Sequence, residues 1–434
     1  EKYQLSGTFL ESEEVYWSKE DSVTITVPSG YELVDKSGND FNGTITKAGG
    51  AEQEVQFRLK DKNEFITDVI KIVVKFDGTA PTGKIIIDGY VFEDVNSSGD
   101  VFIKGSVIPR IQAEDNGSGI KSVKYCIKNE FSEPSEIEEK LWNEISDLNG
   151  NSTKEGVCSE LTNGIYVVYA QITDNVENVQ YLGTKRLIVF NDPTTNQSKM
   201  SYTKGSTDDL TIDIALNNTD FKEVCYGSEN MLRPGDIERT DRGLKFKKEF
   251  LDAIQMDNDT ETFEFTVKFK PNYFEGESGG ETNWPKDMNL SIEINKMDRS
   301  DVSIDSLSGV YNGEEVKPQY SGEKVGDKLD WKYYVKADDG NSYENFDEIP
   351  KNVGAYKVEL TVKNNLYKEV NTSQEFTITP AQLIIKEVRQ LNPLTYDGKK
   401  QTAAVNTEAI TVDNTADKVN FEYKNEKGLY TKEV

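Results

Sequence analysis

The sequence predicts an all-β chain, built as tandem β-sandwich domains in an extended row. Two observations carry this. Apolar and polar residues alternate over short stretches throughout, as in residues 22–27 (SVTITV) and 54–59 (EVQFRL). That is the period of a half-buried strand. The stretches are bounded by turn-forming residues, with 32 Gly and 12 Pro spread over 434 positions. A hydrophobic content of 35%, with 21 Tyr and 19 Phe, is too high for a disordered chain. The length allows roughly three to five domains, each able to bury its own core.

Residues 1–78 form the first expected domain. Its last strand, 69–76 (VIKIVVKF), runs into Asp77-Gly78-Thr79-Ala80-Pro81, a joint where glycine ends one strand and proline stiffens the next. The second domain, 79–192, has strand signals at 84–87, 101–103, 107–113, 122–127, 165–173 and 187–190. In 107–127 (VIPRIQAEDNGSGIKSVKYCI), Val107, Pro109, Ile111 and Ala113 share one face and the strand ends at Asp115. The turn Asp115-Asn116-Gly117-Ser118-Gly119 leads to a second strand with Val123, Tyr125 and Ile127 on one face. Tyr166, Val168, Ala170 and Ile172 repeat the pattern, and Asp174-Asn175 closes that strand. Between them Ile137, Leu141 and Ile145 recur at helical spacing behind Ser132 and Pro134, which predicts a short helix bridging two sheets.

These residues resemble a bacterial immunoglobulin-like (Ig-like) domain of the kind strung along Gram-positive surface proteins. The matching positions are Asp115, Ser118, Gly119, Ile120, Tyr125, Trp142, Gly164, Tyr166, Asp174 and Asn178, with Glu177 where the family usually has glycine. Residues 1–78 resemble the same family without the Asp-Asn-Gly-Ser-Gly turn. Residues 193–297 carry Tyr202, Lys204-Gly205, Asp209, alternating Leu210, Ile212 and Ile214, then Gly227, Leu232, Gly235-Asp236 and a single helical turn at Phe250-Leu251. They resemble the X-two type of carbohydrate-associated module, with an insert at 271–287. Residues 298–380 and a partial copy at 381–434 repeat one another: Tyr311-Asn312-Gly313 aligns with Tyr396-Asp397-Gly398, and Trp331-Lys332-Tyr333 with Phe421-Glu422-Tyr423. They resemble the MBG or YDG repeats of bacterial adhesins. The second copy stops at Val434 before its closing strands, so that end is expected to be poorly ordered or covered by a neighbour.

Composition narrows the chemistry. A net charge of −27 argues against nucleic acid and anionic lipid as partners. Histidine is absent, which removes the usual general base and the imidazole ligands of catalytic zinc. No nucleophile elbow or phosphate loop is present, and the segment is expected to be non-catalytic. Of the cysteines, Cys126 and Cys158 fall in one domain and could pair, but Cys126 alternates outward beside Tyr125, so free thiols are expected. No apolar run reaches membrane-spanning length, and Glu1 reads as the start of a trimmed segment.

Two candidate sites stand out. Tyr273, Phe274 and Trp284 lie in the 271–287 insert, where aromatic rings could stack on sugar faces or fold back as the core of a long loop. Asp94, Asn96, Ser98 and Asp100 place oxygen side chains at alternate positions like the first half of a calcium loop. The twelfth position is Gly105 where a bidentate Glu is needed, so a polar hairpin tip is the preferred reading and no cofactor is expected apart from calcium at this loop. Asp115 and Asp174 should meet at one pole of their sandwich, as ligands of a cation or as turn fasteners, and the second role is expected. The expected protein is a monomeric, secreted or wall-attached stalk or adhesin segment that meets extracellular or cell-surface glycans or proteins. The alternative is an accessory region of a large glycan-degrading enzyme.

Overall fold

The computed structural model describes residues 3–149, 153–227, 230–276 and 284–382, and beyond them the short strands Ile384–Ile385, Ile410–Thr411, Tyr423–Lys424 and Tyr430–Thr431. The partial repeat expected over 381–434 otherwise lies outside the described residues. The rest is a succession of two-sheet β-sandwiches of Ig-like type.

One feature recurs in all of them. An early strand of each sandwich pairs parallel with its last strand, while the other strand ladders of that sheet are antiparallel, apart from a single parallel bridge between Val95 and Gly183. Val15–Ser18 runs beside Ile70–Phe76, Asp100–Lys104 beside Arg186–Phe190, Lys199–Thr203 beside Met288–Asn295, and Gly309–Val310 beside Val370–Thr379. A parallel pair cannot be joined by a hairpin, so the chain must cross from one sheet to the other between its members. That crossing is what makes two layers from one chain.

Each core is the set of inward residues the alternation names. In the first sandwich Val23 and Ile25 meet Phe57, Leu59, Ile72 and Val74 across the layers. In the second, Ile111, Ala113, Val123, Val168, Ala170 and Ile172 are buried together, with Tyr125, Ile127 and Tyr166 packed against them. The third sandwich centres on Phe246, Phe265 and Ile292, with the six-residue helix Lys248–Ala253 supplying Leu251. In the fourth, Trp331, Tyr333 and Val335 of the strand Lys328–Lys336 turn inward against Tyr356, Val358 and Phe376.

One sequence expectation is corrected. Residues 132–146 form no bridging α-helix; they make two 3-10 turns, Pro134–Glu136 and Glu139–Leu141, and the edge strand Asn143–Glu144. The helical period misleads because its members serve different layers. Ile137 and Trp142 cover the outer face of the sheet, Ile145 enters the core, and Leu141 is exposed. The same covering segment buries Cys126, which does point away from the core but packs with Val167, Tyr169 and Trp142. Cys158 belongs to the core cluster on the other side, and both thiols are free.

Candidate functional site at the joints between sandwiches

At the first joint three carboxylates converge. Asp77 follows the last strand of the first sandwich, Asp115 follows the strand Arg110–Glu114, and Asp174 ends the strand Gly164–Asp174. Each offers an oxygen, and these oxygens all lie within 4.8 Å of one another. Asp77 and Asp174 are buried and Asp115 is half-buried.

Their second role is to fasten turns. Asp174 Oδ1 accepts the backbone N–H of Val176 and Asn178, and its Oδ2 accepts the Asn178 amide. Asp115 Oδ2 accepts the Gly119 N–H. Asp77 Oδ1 accepts from Thr79, and Oδ2 accepts the Ser118 N–H at 2.8 Å across the joint. Gly117 is required here: a Cβ at that position would stand 2.1 Å from Asp77 Oδ2. Asn178 completes the joint, its amide donating to the carbonyls of Asp77 and Thr79 at 3.0 and 3.2 Å.

The charges respond to this crowding. Burial raises Asp174 above the ordinary carboxylate value, and the negative charges of Asp77 and Asp115 push it further up. Asp77 also meets a burial penalty, but hydrogen bonds from Ser118 and Thr79 outweigh it and hold the group below its ordinary value. A cavity of about 470 Å³ opens beside the cluster, lined among others by Trp17, Glu52, Asp77, Glu114 and Asp115.

The second joint is where the structure places the insert aromatics. Phe274 stands edge-on to Trp284, with ring centroids 4.7 Å apart and planes at 76°, and also edge-on to Phe102 of the second sandwich at 5.4 Å. Lys104 joins them, bonding Asp192 at 2.7 Å and the Trp284 carbonyl at 2.9 Å. Tyr273 is 54% exposed, and the Arg186 guanidinium lies over its ring at 4.9 Å. The three residues are thus brought together, but against the neighbouring sandwich. An open groove of about 400 Å³ remains beside them, lined by Asp100, Phe102, Arg186, Tyr273, Phe274, Glu275 and Gly276. Asn218 staples the backbones here, its amide donating to the carbonyls of Gly164 and Val189.

The loop holding Asp94, Asn96, Ser98 and Asp100 is tied differently from a cation loop. Asp100 is held by Arg186 through paired bonds of 2.8 Å, and the Asn96 amide donates to the carbonyls of Asp94 and Gly183. Asp94 and Ser98 are exposed. Sequence reasoning placed Asp115 and Asp174 at one pole but missed Asp77 as their third member. The signal was present: Asp77 follows a strand and precedes Gly-Thr-Ala-Pro, so it had to lie where the next domain begins.

The third joint repeats the device. The Asn365 amide donates to the Asp252 carbonyl at 3.0 Å, and Met297 exchanges backbone bonds with Leu366 and Lys368. Behind it Arg299 and Asp327 form a buried pair, their side chains 2% and 3% exposed. Among the described residues no helix is long and apolar enough to cross a membrane.

No protein-family model matches the chain, and no curated protein matches it in sequence. Solved structures similar to parts of it include a tri-modular GH5 endo-beta-1,4-glucanase from Bacillus licheniformis, at 15% identity and a TM-score of 0.24 over 49% of this chain and 38% of that one. A three-Ig segment of titin gives 11% identity and a TM-score of 0.29, covering 69% and 99% of the two chains. Protocadherin gamma B2 cadherin domains give 12% and 0.22, covering 83% and 95%. The chain spans 38% of the length of the glucanase structure it matches.

Proposed function

We propose that this segment is a non-catalytic extracellular stalk, presenting binding surfaces away from a bacterial cell surface. The observation that carries the reading is the construction of the joints. At each one, a buried or half-buried asparagine amide donates to backbone carbonyls of the adjoining sandwich: Asn178, Asn218 and Asn365. Such bonds limit bending between neighbours, which a stalk needs and independent enzyme modules do not. The X-two and MBG resemblances fit the same role, since both are spacer or adhesin units. Small-angle scattering on the chain tests it. An elongated particle whose maximum dimension is unchanged by salt supports a stalk; a broad, salt-dependent distribution of dimensions counts against it.

The groove beside Tyr273 favours a second reading, an accessory region touching polysaccharide. An exposed aromatic ring next to the Asp100–Arg186 pair joins an apolar face to hydrogen-bonding groups, as sugar sites do. A glycan array with Tyr273→Ala and Trp284→Ala separates the readings. Binding lost in Tyr273→Ala supports the accessory role, and absence of binding leaves the stalk. Protein partners are the other class of ligand for a stalk of this kind.

A further inference from the structure

We infer that Asp77, Asp115 and Asp174 hold a calcium ion that locks the first sandwich to the second. The carboxylates come from both sandwiches, and their oxygens converge within 4.8 Å. Oxygens this close suit a hard divalent cation, and calcium accepts about six to eight such ligands in flexible geometry, whereas magnesium demands a near-ideal octahedron and keeps several of its waters. Two of the three carboxylates are buried, Asp77 at 3% and Asp174 at 0% exposure. Buried like charges at this spacing are costly without a counter-charge. Three basic side chains around the joint have carboxylate partners outside the cluster: Lys75 pairs with Glu11, Lys121 with Glu177 and Lys47 with Asp21.

A second feature points into the same place. Ser118 is 8% exposed, and its hydroxyl oxygen is wholly buried without a hydrogen-bond partner among the described residues. That hydroxyl faces the Asp77 carboxylate, whose Oδ2 already takes the Ser118 N–H. An orphaned buried hydroxyl is unusual, and a hard cation would use its oxygen as a neutral ligand. The adjoining cavity, with Glu52 and Glu114 on its wall, supplies both a negative approach and room for the waters that complete a calcium shell. The turn-fastening bonds are compatible with this, because each carboxylate has more lone pairs than its N–H donors occupy. The inference holds whether the segment is a stalk or an enzyme accessory.

Calorimetric titration of the chelator-stripped full chain with calcium chloride tests it, alongside melting curves with and without the ion. The expected result is one calcium equivalent per chain, abolished in Asp115→Asn and retained in Asp94→Asn. Melting should rise by roughly 5–10 °C at calcium about 100-fold above its dissociation constant, in wild type and not in Asp115→Asn. Should Asp115→Asn fail to fold, Ser118→Ala serves instead, with calcium affinity expected to fall about tenfold. Absence of binding heat and of a melting shift in wild type overturns the proposal. So does binding that survives Asp115→Asn, or that disappears in Asp94→Asn.

Discussion

Glu64 and Glu177 hold the same left-handed backbone, with φ of 67° and 72°, each fourth in a five-residue hairpin that opens on an aspartate. In both hairpins the aspartate Oδ1 accepts the backbone N–H of the third and fifth residues: Asn63 and Phe65 for Asp61, Val176 and Asn178 for Asp174. The two turns are therefore one device used twice. What differs is the fifth residue. Asn178 reaches the preceding sandwich, whereas Phe65 leaves its ring 73% exposed.

Asn178→Ala should destabilise the joint by about 1–2 kcal/mol, since two backbone carbonyls lose a donor at once. Phe65→Asn, at the equivalent position, should change stability by less than about 0.5 kcal/mol, because the ring packs on little. Urea denaturation followed by tryptophan fluorescence measures both. A cost at Phe65 as large as that at Asn178 would show that the ring has a partner.

Gly117→Ala should cost about 2 kcal/mol or more. The added methyl would displace the Asp77 carboxylate and break its bond from Ser118, leaving a buried charge short of a donor. Ser118→Gly keeps the backbone donor and should cost less. Thermal melting of the two variants side by side decides this.

Stability should depend on acid in two opposite ways. Burial opposes ionisation of Asp327, yet Arg299 and the Lys324 N–H hold it far below its ordinary value of 3.8. Its stabilisation is thus present above that value and lost as pH falls further, toward the folded-state value. Asp174 is raised above 3.8, so in chelator its contribution is favourable below that value and is lost as pH rises through the raised one. Asp327→Asn should cost about 3 kcal/mol at pH 7 and progressively less below about pH 4, because it leaves Arg299 buried without its carboxylate. Asp174→Asn should flatten the loss of stability just above pH 4. Denaturant midpoints from pH 3 to 7 check both signs.

Phe102 and Phe274 should prove coupled across the second joint. A double-mutant cycle to alanine is expected to give about 0.5–1.5 kcal/mol of interaction, since their edge-to-face contact is shared by two sandwiches. Additive effects would mean that the insert merely rests against its neighbour.

The all-β class and the inward faces were legible because alternation reports burial directly: Val123, Val168 and Ile172 lie where their period placed them. The 132–146 connection was not, because Ile137, Leu141 and Ile145 match a helix while their burial serves an outer layer, solvent and the core in turn. The site was half-legible for a related reason. Asp115 and Asp174 announce themselves through turns within one domain, but Asp77 belongs to them only through contact across a joint. The insert aromatics show the same limit: Tyr273, Phe274 and Trp284 read as a group, while Phe102, which packs against Phe274, lies some 170 residues earlier in the chain.

The parallel strand pair in each sandwich has a mechanical consequence. In the third sandwich the chain arrives along Lys199–Thr203 and departs along Met288–Asn295, paired over five positions from Lys199↔Ser291 to Thr203↔Asn295. Tension applied along the chain pulls these strands in opposite directions along their own length. The backbone hydrogen bonds between them are then loaded together in shear instead of opening one after another. Flow or a pulling cell would meet a domain that resists abruptly and yields as a unit, with Lys199–Thr203 acting as its clasp.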